Sequence, residues 1–530
     1  MGFPVGWKFG VWPRMAAVRA EALDLDCPPA ALLDALADQD DPALLDSSAL
    51  HEQYGRYTIL ACRPLDVLTL RDGVLRDRQG QALSDGDDES LWEALERAFS
   101  AVQLGEGGDH PPYVPGWIGY VGYEVGRHVE KLPGRAVRDT LLPDLRLAFY
   151  DALLVYDALD RRWTLVRLEF DQEPDGAGRA AAALRQVAVR PTMAQEDSVP
   201  APTEQADAAE HSAAWACPNF SPADYQRAVA RCVEYIAAGD IFQVNLSQRL
   251  EVPQAPPPLA VYRRLRRRNP AWYAADLAFD DPVAWASRPC VAGPSRPCNP
   301  TGGTPVGRTG KMPVPRPPVP RCAILSSSPE LFLRVRGPHV ITRPIKGTRR
   351  RTGDPAADQL ARRDLLASPK DNAELAMIID LLRNDLGRVC RYGSVRVSEP
   401  RRLETHPTVF HLVGTVEGEL RSGVGAAALL RATFPGGSIT GAPKIRAMEI
   451  IDELEAQARG VYTGCIGIVG VDGSCEWNIA IRTMVWDAGR MLVQAGGGIL
   501  ADSDPLSEYN ETLDKARAML EAIQQAREGQ

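Results

Sequence analysis

Lysine is scarce in this chain. Seven residues are lysine (Lys8, Lys131, Lys311, Lys346, Lys370, Lys444 and Lys515), against 53 arginines. Positive charge is written as arginine by default, so a lysine beside other reactive groups stands out from background. A basic excess is also lacking: 60 Lys and Arg against 69 Asp and Glu leave a net charge of −9. That excludes a general nucleic-acid binder, whose phosphate contacts need a basic surface. No run approaches the ~18 uncharged apolar residues of a membrane span, and Met1 to Ala20 holds no signal-peptide-like apolar core. The ten cysteines form no CxxC pair and the seven histidines no zinc spacing. Reduced thiols and a cytoplasmic location are therefore expected. Gly2 to Arg14 shows no periodicity, which makes Met15 a candidate start.

What is present is an ordinary globular composition, 45% hydrophobic and 24% charged over 530 residues, enough for more than one domain. Residues 15–190 read as mixed strands and helices. Arg56 to Leu60 and Val67 to Leu70 alternate like half-buried strands, and Leu147 to Tyr156 with Arg162 to Phe170 reads as a strand pair. Glycines recur from Gly116 to Gly126 at intervals that suit close strand packing better than a dinucleotide loop. Residues 191–217 are rich in Ala, Pro, Glu and Gln without a period and read as a linker. A helix follows, with Ser221 as N-cap, Pro222 in the first turn, and Val229, Val233 and Ile236 at helical spacing until Gly239. Residues 218–525 then alternate strand and helix. Within them, residues 287–321 hold ten prolines and no acidic residue, which reads as a disordered surface insertion.

Four stretches carry chemistry. Ser326-Ser327-Ser328-Pro329-Glu330 precedes Pro344-Ile345-Lys346-Gly347-Thr348, and both place polar groups at strand ends. In Asp371 to Asp385, a core stripe of Leu375, Ile378, Ile379, Leu382 and Leu386 puts Glu374 in the first turn of a helix, at the edge of the stripe. Phe434 to Lys444 reads as a Gly-rich turn into a helix, which directs backbone N–H groups at an anion. Gly496-Gly497-Gly498 precedes a helix on which Glu508, Glu511 and Lys515 fall at i, i+3 and i+7 and share one face. Three carboxylates, two Gly-rich turns and a rare lysine together suggest a hard cation, Mg²⁺, presenting an anionic small molecule.

Glu508-Tyr509-Asn510-Glu511-Thr512, Leu382-Arg383-Asn384-Asp385, Gly441-Ala442-Pro443-Lys444 and Pro344-Ile345-Lys346-Gly347-Thr348 resemble motifs of the chorismate-utilising enzymes. That family includes the anthranilate, aminodeoxychorismate, isochorismate and salicylate synthases. The likeness runs over roughly 215–520 and extends more weakly to Leu44-Leu45-Asp46-Ser47 and Gly116 to Glu124. Lys346 makes it closest to aminodeoxychorismate synthase component I, since anthranilate synthases usually carry Ala at this motif position.

The resemblance implies an α+β fold, a sandwich of two antiparallel β-sheets flanked by helices and built from both halves of the chain. It implies Lys346 as nucleophile and Glu330 as general acid, with Mg²⁺ on Glu374 and Glu511 and Glu508 assisting. Substrate contacts are implied for Thr348, His411, Ser438, Tyr462, Arg482, Gly496, Gly498 and Lys515, and tryptophan binding near Ser47. The product would be 4-amino-4-deoxychorismate, on the way to 4-aminobenzoate and folate. The ammonia source is expected on a separate glutamine amidotransferase subunit in a heterodimer. Cys465 has flanking glycines, but no histidine lies beyond His411 to complete a glutaminase. No nucleic-acid or membrane partner is expected. Two alternatives stand beside this reading: anthranilate synthase component I, and a non-catalytic paralogue that binds chorismate or tryptophan.

Overall fold

The computed structural model describes residues 14–105, 110–191, 215–280 and 321–529. Most of the expected 191–217 linker, and all of the 287–321 insertion except Arg321, lie outside the described residues. Two large sheets form the frame. Among the described residues the first has 13 strands and the second 11. Pairing is antiparallel apart from Arg14–Leu23 with Val102–Leu104 and one isolated bridge, Val137 with Gln457. The expected two-sheet α+β sandwich is thus the observed architecture.

Three apolar layers hold it together. Ile59, Ile118, Leu153, Ile324 and Ile468, from strands of both sheets, form the seam between them. Helices Arg179–Ala188, Pro258–Arg268 and Pro505–Glu528 cover the outer face of the first sheet. Helices Asp88–Phe99, Pro369–Gly387 and Ala426–Thr433 cover the second. Burial on this scale, at roughly 25 cal/mol per Å² of apolar surface, is the dominant favourable term. Strands from either side of the 191–217 stretch are neighbours in both sheets: Ala43–Asp46 pairs with Tyr273–Phe279, and Gly116–Val121 with Cys465–Gly470. Glycines on that second pair are needed for close approach, as expected. A Cβ at Gly119 would stand 2.0 Å from the Arg146 carbonyl oxygen.

Local expectations fare unevenly. The helix after Ser221 runs Pro222–Ala237, with the Ser221 hydroxyl accepting from the Asp224 N–H at 3.1 Å. Leu147 to Tyr156 is not one strand. Leu145–Tyr150 lies in the second sheet and Ala152–Asp157 in the first, so only the latter pairs with Arg162–Phe170. The crossing falls at Asp151, whose buried carboxylate accepts from the Gly178 N–H at 2.8 Å. An apolar run cannot reveal a change of sheet, because both halves are buried.

Candidate active site

Lys346 lies on Ile345–Arg350, the edge strand of the second sheet. Its pairing with Val409–Glu419 slips between Ile345 opposite Val413 and Thr348 opposite His411. Lys346 and Gly347 thus face the single residue Leu412 at this bulge, which re-aims the side chain there. Gly347 takes φ 78° there, and a Cβ on it would meet Leu365 at 2.8 Å and Asp371 at 2.9 Å. Only glycine fits. Lys346 is partly buried, and its ammonium donates to the Ser438 carbonyl at 3.1 Å. Burial pulls its pKa down, against the opposing pull of Glu374, Glu330 and Glu511.

Glu330 sits where the chain crosses from Cys322–Ser328 in the first sheet to Leu331–Arg336 in the second. It is 4% exposed and accepts from the Ser438 hydroxyl at 2.6 Å. Burial pushes its carboxyl up to about 7, although the Ser438 hydrogen bond and Lys346 oppose this. Ser438 thereby touches both expected reactive groups, one with its carbonyl and one with its hydroxyl. It lies in the short turn Gly437–Ile439. The following helix begins only at Lys444, so Phe434 to Lys444 is not a turn feeding its glycines directly into a helix. Pro443 and the two-residue strand Gly441–Ala442 intervene. Lys444 itself is spent on Asp385, at 2.6 Å, and on the Thr433 carbonyl at 3.2 Å. It pins two helices and does not face the reactive groups.

The glycine triplet belongs to the strand Arg490–Ile499, not to a loop as its composition suggests. Each glycine keeps space clear. A Cβ at Gly496 would meet the Leu246 carbonyl oxygen at 2.5 Å, and one at Gly498 the Gln243 amide nitrogen at 2.2 Å, with the Lys346 ammonium 3.7 Å away. A Cβ at Gly497 would lie 3.2 Å from Glu508 Oε2 and 3.4 Å from Glu511 Oε1. These two carboxylates therefore converge over Gly497, from the helix Pro505–Glu528. Glu508 is buried, and its Oε2 has no hydrogen-bond partner. Its Oε1 accepts from the Ser503 hydroxyl at 2.6 Å, and burial pushes its pKa up despite that bond. Glu511 is also pushed up by burial. The Lys515 ammonium, at 2.6 Å, together with Lys370 and Lys346 more than offsets this and holds it below the ordinary value. Lys515 donates to the Gly496 carbonyl as well, at 2.9 Å.

Glu374 faces the same space from the helix Pro369–Gly387 and interacts electrostatically with Lys346, Lys370 and Glu511. That helix starts two residues before Asp371, with Ser368 as N-cap, so Glu374 lies in its second turn and not the first. The expected stripe of Leu375, Ile378, Ile379, Leu382 and Leu386 is buried. Burial raises the Glu374 pKa, against the pull of Lys346.

The remaining expected contacts divide. Thr348 shares a 2.9 Å hydrogen bond with His411 Nδ1, and burial, with His406 and Arg482 nearby, holds His411 well below the usual histidine range. Tyr462 is buried with its phenol against the Gly496 backbone N–H. Arg482 donates to the Asn269 side chain at 2.9 Å and pairs with no carboxylate among the described residues. Burial alone lowers its pKa. Ser47 stands apart. Its hydroxyl lies 2.7 Å from the Tyr57 carbonyl and 3.1 Å from that of Trp272, beside an aromatic layer of Tyr54, Trp272 and His406. Sequence reasoning missed Gln243, a 2% exposed side chain against Gly498 whose Oε1 lacks a partner. No local motif marks a glutamine inside a strand.

A profile described as chorismate binding enzyme matches residues 49–288 and 318–521. Anthranilate synthase component 1 of Streptomyces coelicolor is 40% identical over 419 residues, 78% of this chain and 74% of the relative. Aminodeoxychorismate synthase component 1 of Klebsiella aerogenes is 34% identical over 489 residues, 92% and 95% respectively. Anthranilate synthase component I of Streptococcus pneumoniae superposes with a TM-score of 0.66 at 29% identity, over 89% of this chain and 94% of that one. The menaquinone-specific isochorismate synthase of Escherichia coli, at 17% identity, shares the fold with a TM-score of 0.62 over 96% and 95%.

Proposed function

The chain belongs to the chorismate binding enzyme family, and from that premise we propose that it is an aminodeoxychorismate synthase component I. The observation that carries this reading is the Lys346–Ser438–Glu330 arrangement. A partly desolvated amine and a carboxyl pushed to about 7 share one serine. A nucleophilic lysine must lose its proton, and a general acid must keep one near neutral pH. Burial drives both groups the right way.

Lys346, as the free amine, attacks chorismate at C2. Glu330 gives its proton to the departing C4 hydroxyl, which leaves as water. Ammonia then adds at C4 and expels the lysine, giving 4-amino-4-deoxychorismate. Arg482 suits the enolpyruvyl carboxylate, because its fork donates to two oxygens side by side. Thr348, two residues beyond Lys346, and His411, hydrogen-bonded to it at 2.9 Å, would contact the substrate as well.

Glu374, Glu511 and Glu508 would hold Mg²⁺. The unpartnered Glu508 Oε2 and its convergence with Glu511 Oε1 support this, although no ready-made group of three metal-ligating side chains exists among the described residues. Bound there, the cation would neutralise the ring carboxylate and polarise the diene. Ammonia would come from a glutamine amidotransferase partner, a reading supported by the "component 1" in the relatives' names.

Anthranilate synthase component I is the second reading, favoured by the 40% identity to the Streptomyces coelicolor enzyme. Incubation with chorismate, Mg²⁺ and ammonium, followed by chromatography, separates the two. 4-Amino-4-deoxychorismate is expected, and anthranilate as the main product would overturn the proposal.

A further inference from the structure

Arg459 lies outside every motif singled out above and touches none of the expected reactive groups. Its side chain is 1% exposed. A guanidinium has five N–H donors in a fixed fork, and here all five are used. Nε and Nη2 donate to the two oxygens of Glu455 at 2.9 and 2.7 Å. Nη2 also reaches the Asn245 carbonyl at 2.7 Å. Nη1 reaches the Ile439 carbonyl at 3.1 Å and the Thr463 hydroxyl at 3.3 Å.

The three targets besides Glu455 are immediate neighbours of the pocket. Ile439 follows Ser438 in its turn. Asn245 is the cross-strand partner of Gly498. Thr463 follows Tyr462. One side chain therefore ties together three separate walls of the site. The first half of the chain holds it in turn. Glu124 accepts from the backbone N–H groups of Arg459 and Gly460 at 2.9 and 2.8 Å, and the Tyr123 ring lies 4.7 Å from the guanidinium.

We propose that Arg459 is a positioning residue that acts through Ser438, holding the Ser438 carbonyl and hydroxyl where Lys346 and Glu330 need them. This rests on the acid–nucleophile reading of the site given above. A bare ion pair with Glu455 would need only a positive charge, which lysine supplies. The placement of three walls needs the fork, which lysine cannot supply. Glu455 keeps the Ser247 backbone N–H and hydroxyl as partners, at 2.8 and 2.9 Å, so Arg459→Lys leaves no orphaned carboxylate.

The test is ammonia-dependent turnover by the full chain. Arg459→Lys should bind chorismate within about threefold of the unmodified protein while kcat falls by roughly 30-fold or more, the cost of small misplacements. The basic limb of the kcat–pH profile should move upward as Glu330 loses the Ser438 hydrogen bond. Ser438→Ala should move that limb in the same direction. The double variant should be little worse than either single one, because effects within one chain of contacts do not add. If Arg459→Lys does not fold, Glu124→Gln replaces it, and should lower kcat by about fivefold with the same movement of the limb. A normal kcat and limb in the Arg459→Lys or replacement variant, beside an impaired Ser438→Ala, would overturn the Arg459 proposal alone. Multiplicative losses in the double variant would do the same. A fully active Ser438→Ala would overturn the reading of the site as well.

Discussion

At one end of the pocket Glu330 is 4% exposed and shares Ser438 with Lys346. At the other, the side chains of Glu511 and Lys515 are 50% and 40% exposed and pair with each other at 2.6 Å. Both ends are built from carboxylates and a lysine, and burial raises the carboxyl pKa at both, yet the net shifts of Glu330 and Glu511 run in opposite directions. In the dry end desolvation dominates, so the carboxyl titrates near 7 and the amine's pKa falls. In the wet end burial also raises Glu511, but Lys515, with Lys370 and Lys346, more than offsets it and holds Glu511 below the ordinary carboxylate range, whereas Glu374 and Glu508 beside it are raised by burial. Proton transfer wants groups that change charge near neutral pH, and cation binding wants groups that do not. The same residue types serve both ends because their surroundings differ.

The largest effect should come from the dry end. Lys346→Ala should cut aminodeoxychorismate formation at low ammonia by about 1,000-fold or more, with chorismate binding retained, and some leakage to anthranilate is expected from a pocket that then resembles its Ala-bearing relatives. In the wet end, Glu374→Gln or Glu511→Gln should lose about 100-fold in turnover while the melting temperature barely moves. EDTA should abolish wild-type turnover and Mg²⁺ restore it. Normal turnover by either variant with EDTA present would erase the distinction between the ends.

The pH dependence sharpens it. Glu330 is protonated below about 7, so kcat should decline above that value as the acid is lost. Its folded pKa is raised, so its unfolded form ionises first. Stability associated with Glu330 is therefore fully present below about 4.5, falls as pH rises, and is gone above about 7. The total is ~3 kcal/mol. Denaturant melts of Glu330→Gln across this window should lack that fall. The smallest effect belongs to Thr348→Val, which removes one hydrogen bond to His411. It should raise KM severalfold, as expected for ~1 kcal/mol.

Much of the site was legible because it is written in short, unusual strings. Lys346 stood out through the scarcity of lysine, Glu374 through the buried stripe beside it, and Glu508 with Lys515 through helical spacing. The two-sheet frame was legible through the family resemblance, and strands such as Tyr57–Ala61 and Asp66–Arg71 were located by their alternation, although both are buried on both faces and not half-buried as that alternation suggested. What stayed hidden depends on contacts between distant residues. The triplet Gly496 to Gly498 looks like a loop until the strand Gln243–Val252 is laid against it. Arg459 and Glu124 are 335 positions apart, and neither has a neighbour in sequence that reports the other. Asp151 marks a change of sheet within a continuous apolar run, where periodicity is silent.

The nucleophilic role of Lys346 is the claim on which the rest turns, and peptide mass spectrometry tests it directly. The protein is incubated with chorismate and Mg²⁺ without ammonia or glutamine, then digested. The predicted result is an adduct with the mass of chorismate less water, confined to the peptide carrying Lys346. An unmodified Lys346 together with normal product formation by Lys346→Ala would contradict it.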